Sequence, residues 1–170
     1  MLPMSSDQVD TTAWLAKTTA HFPPEGIALI RNACALAEIS LDTLKTSTGA
    51  SALIQAIELA SRLLRIEVDY ESVAAALAYS AAQEGGLGID DITERLGKRV
   101  AKLVSGVLQM DAINIFNNQI SNQQQINTMR EMLLTMVDDI RVVLIKLAER
   151  CCIMQAMEFR GVKEQHHVAE

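Results

Sequence analysis

The chain has 170 residues, a formal charge of −6 and 49% apolar residues, yet only 4% aromatics and three prolines. That length buries one core without help from disulfides or metal, and a core of Leu, Ile, Ala, Val and Met favours helices over a β-sandwich. The acidic balance, with no dense Lys/Arg cluster, argues against direct nucleic-acid binding, and no stretch reaches the ~20 apolar residues of a membrane span.

The N-terminus, MLPMSSDQVD, lacks the basic-then-apolar pattern of a signal peptide. Cys34, Cys151 and Cys152 make an odd count without CxxC spacing, as expected of buried free thiols in a reducing cytosol. These features point to an all-α, single-domain, cytoplasmic protein of about seven to nine helices.

In chain order, Asp10 or Thr11 caps a short helix carrying Ala13, Trp14 and Leu15, which ends before His21. Pro24 and Glu25 suit the first turn of a second helix, with Ile27, Ile30, Ala33 or Cys34, and Ala37 on one side. A Ser/Thr-rich connection through Gly49 leads to a third helix, apolar at Leu53, Ala56, Ile57, Ala60, Leu63 and Leu64. Asp69 is placed to cap a fourth, Ala-rich helix that ends at Gly85-Gly86. Its small residues permit close approach, so it belongs at the centre of the bundle.

Asp90-Asp91 opens a short helix stopped by Gly97, and KRVAKLVSGVLQM follows with Val100, Leu103, Val104 and Val107 inward. The Asn/Gln-rich stretch 111–125 reads as an exposed connection. From Met129 to Met154 apolar residues recur at helical spacing: Leu133, Met136 or Val137, Ile140, Val143 or Leu144, Leu147, Cys151. This stripe is expected to face the core, with Arg141 and Lys146 beside it covering apolar surface with their alkyl stems. Asp138-Asp139 either breaks the segment, Asp139 capping the run that follows, or lies within one helix. Periodicity is lost in the last dozen residues.

No phosphate loop, nucleophile elbow or zinc spacing is present. His21 stands alone, and His166-His167 lies near the end of the chain. Adjacent aspartates on a helix diverge by ~100°, so Asp138-Asp139 does not chelate one ion.

The order YESVAAAL, DITERLGKRVAKLVSGVLQM, MREMLLTMVDDIRVVLIKLAER resembles the N-terminal domain of the long RelA/SpoT proteins, which make or destroy the alarmone (p)ppGpp. The resemblance covers roughly residues 24–158, leaving 1–23 as an N-terminal extension and 159–170 as the start of a linker. It implies a helical HD fold. In members that hydrolyse the alarmone, a first His, a His-Asp pair and a late Asp hold one Mn²⁺, which acidifies a water for attack on the phosphate ester.

Residue by residue, the first His corresponds to Gln55, the His-Asp pair to Tyr79-Ser80 and the late Asp to Glu149. The water-handling Glu-Asp pair corresponds to Gln83-Glu84. Cys152 and Ile153 replace a following His and Asn, and the substrate loop reads Thr46-Ser47-Thr48-Gly49 without its Arg. One carboxylate among four ligand positions does not hold a catalytic metal, so no catalytic, metal or cofactor site is expected in this chain.

The pattern is similar to the RelA branch, in which this domain is a degenerate hydrolase and the enzyme is a GTP pyrophosphokinase. Such proteins carry a Mg²⁺-dependent synthetase domain C-terminal to this one, a partner in cis, and meet the ribosome and deacylated tRNA through later regions. Two other readings predict different outcomes: a Mn²⁺-dependent hydrolase with ligands relocated to Glu149, Glu84 and a His, or a free-standing helical adaptor. The space between Gln55, Tyr79, Ser80 and Glu149 is expected to be filled or partly closed, with Tyr79 as plug and Glu149 left without partners.

Overall fold

The computed structural model describes residues 9–47, 49–117, 127, 130–131 and 139–167. Among these residues are seven α-helices and no strand beyond one isolated bridge between Lys45 and Ser51. The fold is all-α, as composition requires.

Local signals set the helix boundaries. Helix α1 (Thr11–Thr18) starts at Asp10, whose side chain accepts from the Ala13 N–H, and α2 (Pro24–Leu41) begins with Pro24 in its first turn. Ser51 caps α3 (Ala52–Arg65). Asp69 caps α4 (Tyr70–Gly85), accepting from the Ser72 N–H at 2.8 Å. Gly86 ends α4 in the left-handed region at φ 70°, where a Cβ is disfavoured. Helix α5 (Ile89–Leu96) stops at Gly97, and α6 (Lys98–Asn117) follows directly. Helix α7 (Ile140–His167) is 28 residues long, about 42 Å at the α-helical rise.

Helix α4 is the centre. Every residue from Ser72 to Tyr79 is buried, so all its faces are covered, and it packs against α2, α3, α5, α6 and α7. Residues 9–22 belong to the same body. Val9, Trp14, Leu15 and Phe22 pack on the core, Thr11 Oγ1 donates to Glu38, and Trp14 Nε1 donates to Ser61 Oγ at 2.8 Å.

Three expectations are corrected. First, α6 continues through Asn117, so residues 111–117 of the expected connection are helical, while 118–125 lie outside the described residues. Second, apolar periodicity fades in the last dozen residues, yet α7 runs on as helix through His167. Third, the inward face of α7 is not the one expected. Val142, Ile145, Ala148 and Cys152 are buried, whereas Ile140, Leu147 and Met154 are 65%, 58% and 64% exposed and Cys151 is also exposed. Apolar residues occupy both faces of this helix, and periodicity alone does not choose between them.

Helix α7 begins at Ile140, with Asp139 Oδ1 accepting from the Arg141 N–H at 3.0 Å. Asp138, Met129, Leu133, Met136 and Val137 lie outside the described residues, as does Thr48. Helices α6 and α7 approach closely at Gly106, where a Cβ would sit 2.9 Å from Val142 Cγ2.

Candidate functional site

The residues singled out from sequence converge. A cleft of about 120 Å³ is lined by Gln55 from α3, by Tyr79, Ser80, Gln83 and Glu84 from α4, and by Glu149, Cys152 and Ile153 from α7. Thr46 and Ser47 border it from the loop before α3. The spacing explains the grouping: positions i, i+1, i+4 and i+5 share one face of α4, and i, i+3 and i+4 share one face of α7. The cleft is partly closed, well below the ~300 Å³ at which small-molecule pockets begin.

The side chains are mostly committed to protein partners. Ser80 Oγ donates to the Ala76 carbonyl at 3.2 Å, within its own helix. Cys152 Sγ accepts from Arg62 Nε at 3.4 Å, and Arg62 Nη2 donates to Gln155 Oε1 at 2.5 Å. Burial pushes the Cys152 thiol up against the opposing pull of Arg62.

Glu149 is not without partners, contrary to expectation. Its Oε1 lies 2.9 Å from the Tyr79 hydroxyl and its Oε2 accepts from Lys146 Nζ. The same hydroxyl lies 2.6 Å from Asp111 Oδ2, and Lys146 Nζ also donates to Asp111 Oδ1 and to the Tyr79 oxygen at 3.3 Å. The single phenolic proton is therefore shared between two carboxylates. Lys146 is 5% exposed, so it is a buried cation within the bundle and not a snorkelling side chain. Burial first, and then the two carboxylates, push the Tyr79 phenol far above its ordinary range, which keeps it protonated.

Two members of this cluster were missed in the sequence. Asp111 lies four and seven residues beyond Val107 and Val104, on the buried stripe of α6. Lys146 lies four residues after buried Val142 and three before Glu149. That spacing was the available signal, and the charge hid it.

The donor set does not fit the divalent-metal site that the resemblance associates with hydrolysis. Among the described residues no group of three or more His, Cys, Asp or Glu side chains is arranged so that it could hold a metal ion. Of the four ligand positions only Glu149 is anionic, and both its oxygens already meet protein groups, one of them an ammonium.

Residues 33–170, most of the chain, match the HD domain. The chain belongs to the HD-domain family. It is similar to the bifunctional (p)ppGpp synthase/hydrolase SpoT of Escherichia coli (strain K12), 30% identical over 137 residues, which are 81% of this chain and 19% of that protein. The GTP pyrophosphokinase of Haemophilus influenzae is 33% identical over 114 residues, 66% of this chain and 15% of that protein. That of Photobacterium angustum is 37% identical over 111 residues, 64% and 14%. This is the HD domain of the RelA/SpoT family, and it spans less than a fifth of those relatives. No helix among the described residues is long and apolar enough to cross a membrane.

A second charged group fastens the start of α7 to the start of α4 in this HD domain. Arg141 Nη2 meets Asp139 at 2.6 Å, while its Nη1 meets Glu71 at 3.0 Å and Asp69 at 3.2 Å. Hydrogen bonds to Asp139, and then to Glu71, raise the guanidinium beyond its ordinary value, and the Arg141 hydrogen bond holds the Asp139 carboxyl low.

Proposed function

We propose that this HD domain is a non-catalytic domain of a RelA-type GTP pyrophosphokinase, which transfers the pyrophosphoryl group of ATP to the 3′-hydroxyl of GTP or GDP, with AMP leaving, in making (p)ppGpp. The observation that carries the reading is the state of Glu149: the one carboxylate at the four ligand positions is bound by Tyr79 and Lys146. Gln55 and Tyr79 offer no imidazole, Ser80 no charge, and Gln83 no basic group to activate a water. The fold persists while the groups needed for hydrolysis are replaced.

The domain's role is then to pack against the Mg²⁺-dependent synthetase domain in cis and bias it between competent and incompetent arrangements, in the cytoplasm. That coupling requires contacts that differ between the two arrangements. The ribosome and deacylated tRNA are partners of the longer protein and not of this domain.

The test has two arms. The 170-residue chain is incubated with (p)ppGpp and Mn²⁺, and no pyrophosphate is expected. Release of pyrophosphate overturns the reading in favour of a hydrolase with relocated ligands. Alarmone synthesis by the full-length protein is then compared with that of a form lacking residues 1–158, and a change in rate or activation is expected. An unchanged rate and unchanged activation remove the regulatory role.

A further inference from the structure

Two helix ends in this domain carry charge of the wrong sign. Helix α2 closes on Glu38 and Asp42 with no basic residue in its last turn, although a helix C-terminus is its negative pole. Helix α6 opens on Lys98 and Arg99, with Lys102 one turn further and no acidic residue in its first turn, although an N-terminus is the positive pole. Each arrangement opposes the helix dipole and lowers the stability of the chain that carries it. Neither end is neutralised from within. Among the described residues Glu38, Asp42, Lys98 and Lys102 form no ion pair, and Arg99 meets Glu71 at 3.3 Å while its side chain is 84% exposed. Glu38 accepts only a neutral hydrogen bond, from Thr11 Oγ1.

The surroundings of the two ends are complementary as well. Asp10, Glu38 and Asp42 border a hollow of about 740 Å³ whose apolar side is Ile39, Leu53 and Ile54. Ile39 is 78% exposed, more than any other large apolar side chain among the described residues. The α6 end is an outward corner. Gly97 turns the chain from α5 into α6 at φ 90°, and a Cβ there would meet nothing within 4 Å. Lysine and arginine stems cover apolar surface while their heads reach carboxylates, which is what a hollow floored by isoleucine and rimmed by acids accepts.

The two surfaces do not meet within one copy. Arg99 lies beside Glu71 at the start of α4, whereas Gly85, at its end, packs against Ser40 in the last turn of α2. About 21 Å of α4 separates them. We infer that they meet between copies: the basic α5–α6 corner of one chain seats in the acidic hollow at the end of α2 of the next. The contact joins two different surfaces, so it repeats head to tail into a ring or a chain and does not close as a two-fold dimer. One corner in one hollow belongs with the small interfaces, below about 1,200 Å², so the association is weak and reversible. It is also salt-dependent, because charge steers and registers it. The inference does not depend on what the longer protein catalyses.

Sedimentation equilibrium of the 170-residue chain, from about 10 μM to about 1 mM, tests it. At low salt the average mass is expected to rise with concentration past that of two copies, and the association constant to fall about tenfold or more at about 0.5 M salt. Asp42→Lys reverses the acidic end, and Lys98→Glu with Lys102→Glu reverses the basic one. Both changes place the sign that each helix end favours, so both variants are expected to melt at or above the temperature of the parent chain. Each variant alone is expected to stay monomeric. Mixed, they are expected to form a 1:1 pair through the intact corner of the first and the intact hollow of the second, and to grow no further.

A parent chain that stays monomeric at low salt up to about 1 mM overturns the inference. So does a variant that associates as the parent does, which assigns the association to another face. A parent assembly that stops at two copies also overturns it, in favour of a two-fold dimer. Loss of association in both variants without pairing on mixing shows that the corner and the hollow are not each other's partners, and overturns it as well.

Discussion

The hydroxyl of Tyr79 lies 2.9 Å from Glu149 Oε1 and ties α4 to α7 across 70 positions of sequence. The contact is one edge of a cluster in which Lys146 supplies the positive charge and Asp111 a second carboxylate from α6. Three helices that line or support the cleft are thereby joined through charged groups instead of apolar contacts alone. The side chains of Lys146 and Glu149 are 6% and 13% exposed, so removing one leaves the other poorly solvated.

Lys146→Met is therefore expected to destabilise the chain by about 3 kcal/mol, because two carboxylates remain beside a phenol that cannot neutralise them. Urea denaturation measures the loss. Adding Asp111→Asn and Glu149→Gln to that variant is expected to recover part of it. A loss under about 0.5 kcal/mol means that water already solvates the ammonium.

Tyr79→Phe keeps the buried ring and deletes only the hydroxyl, at an expected cost of about 1–2 kcal/mol. In a double-mutant cycle with Lys146→Met the costs are expected to fall short of additivity by more than about 0.5 kcal/mol, since both side chains share Asp111 and Glu149. Additive costs show independent contacts and not a network.

The parts of this structure that were legible in the sequence rest on local chemistry. Asp69 caps α4 and Gly86 ends it because one accepts a free N–H and the other tolerates a left-handed backbone, and both can be read within a few residues. The cleft was legible through resemblance, since Gln55, Tyr79, Ser80 and Glu149 come together as the alignment with the family requires. What failed depended on distant partners. Asp111 and Lys146 looked like solvent-facing charges because each one's burial is compensated by the other, 35 positions away. The inward face of α7 failed for the opposite reason, having too much apolar surface for periodicity to choose a side.

The Asp139–Arg141 contact predicts a pH dependence. Arg141 holds the Asp139 carboxyl below its ordinary value in the folded chain. A carboxyl lowered by folding adds stability that is present above its unfolded value, about 3.9, and lost as pH falls through the lower folded value. Asp139→Asn keeps an oxygen to cap the Arg141 N–H but loses the charge. It is expected to cost a few tenths of a kcal/mol at pH 7, the pair being about one-third exposed. The gap from the parent chain should begin to narrow near about pH 4 and close as pH falls through the lower folded value. Asp139→Ala also loses the cap, at about 1 kcal/mol, a part that persists in acid. Melting curves from pH 3 to 7 separate the two components.

Gly106 tests how α6 is held against α7. A Cβ there would meet Val142 Cγ2 at 2.9 Å, and a branched side chain on a helix has little freedom to move aside. Gly106→Ala gains up to about 1 kcal/mol of helix propensity but is expected to lose about 1–3 kcal/mol to overpacking, for a net destabilisation. Val142→Ala in the same chain relieves the contact and should recover part of the loss. A chain stabilised by Gly106→Ala alone shows that the two helices can separate without cost.

Metal addition distinguishes the present donor set from the one in hydrolysing members of the family. Manganese at millimolar concentration is expected to leave the melting temperature of the chain unchanged, since a ligand that does not bind the folded state does not stabilise it. The variant Gln55→His, Tyr79→His, Ser80→Asp, Glu149→Asp places imidazoles and short carboxylates at the four positions around the cleft. It also removes the phenol that engages Glu149. If the helices still hold those positions in a metal-binding arrangement, manganese at about 100 times its dissociation constant stabilises this variant by about 2.7 kcal/mol. Chelation reverses the effect. A variant that folds but gains nothing from manganese shows that the backbone has drifted from that arrangement, and that more than the ligands has been lost.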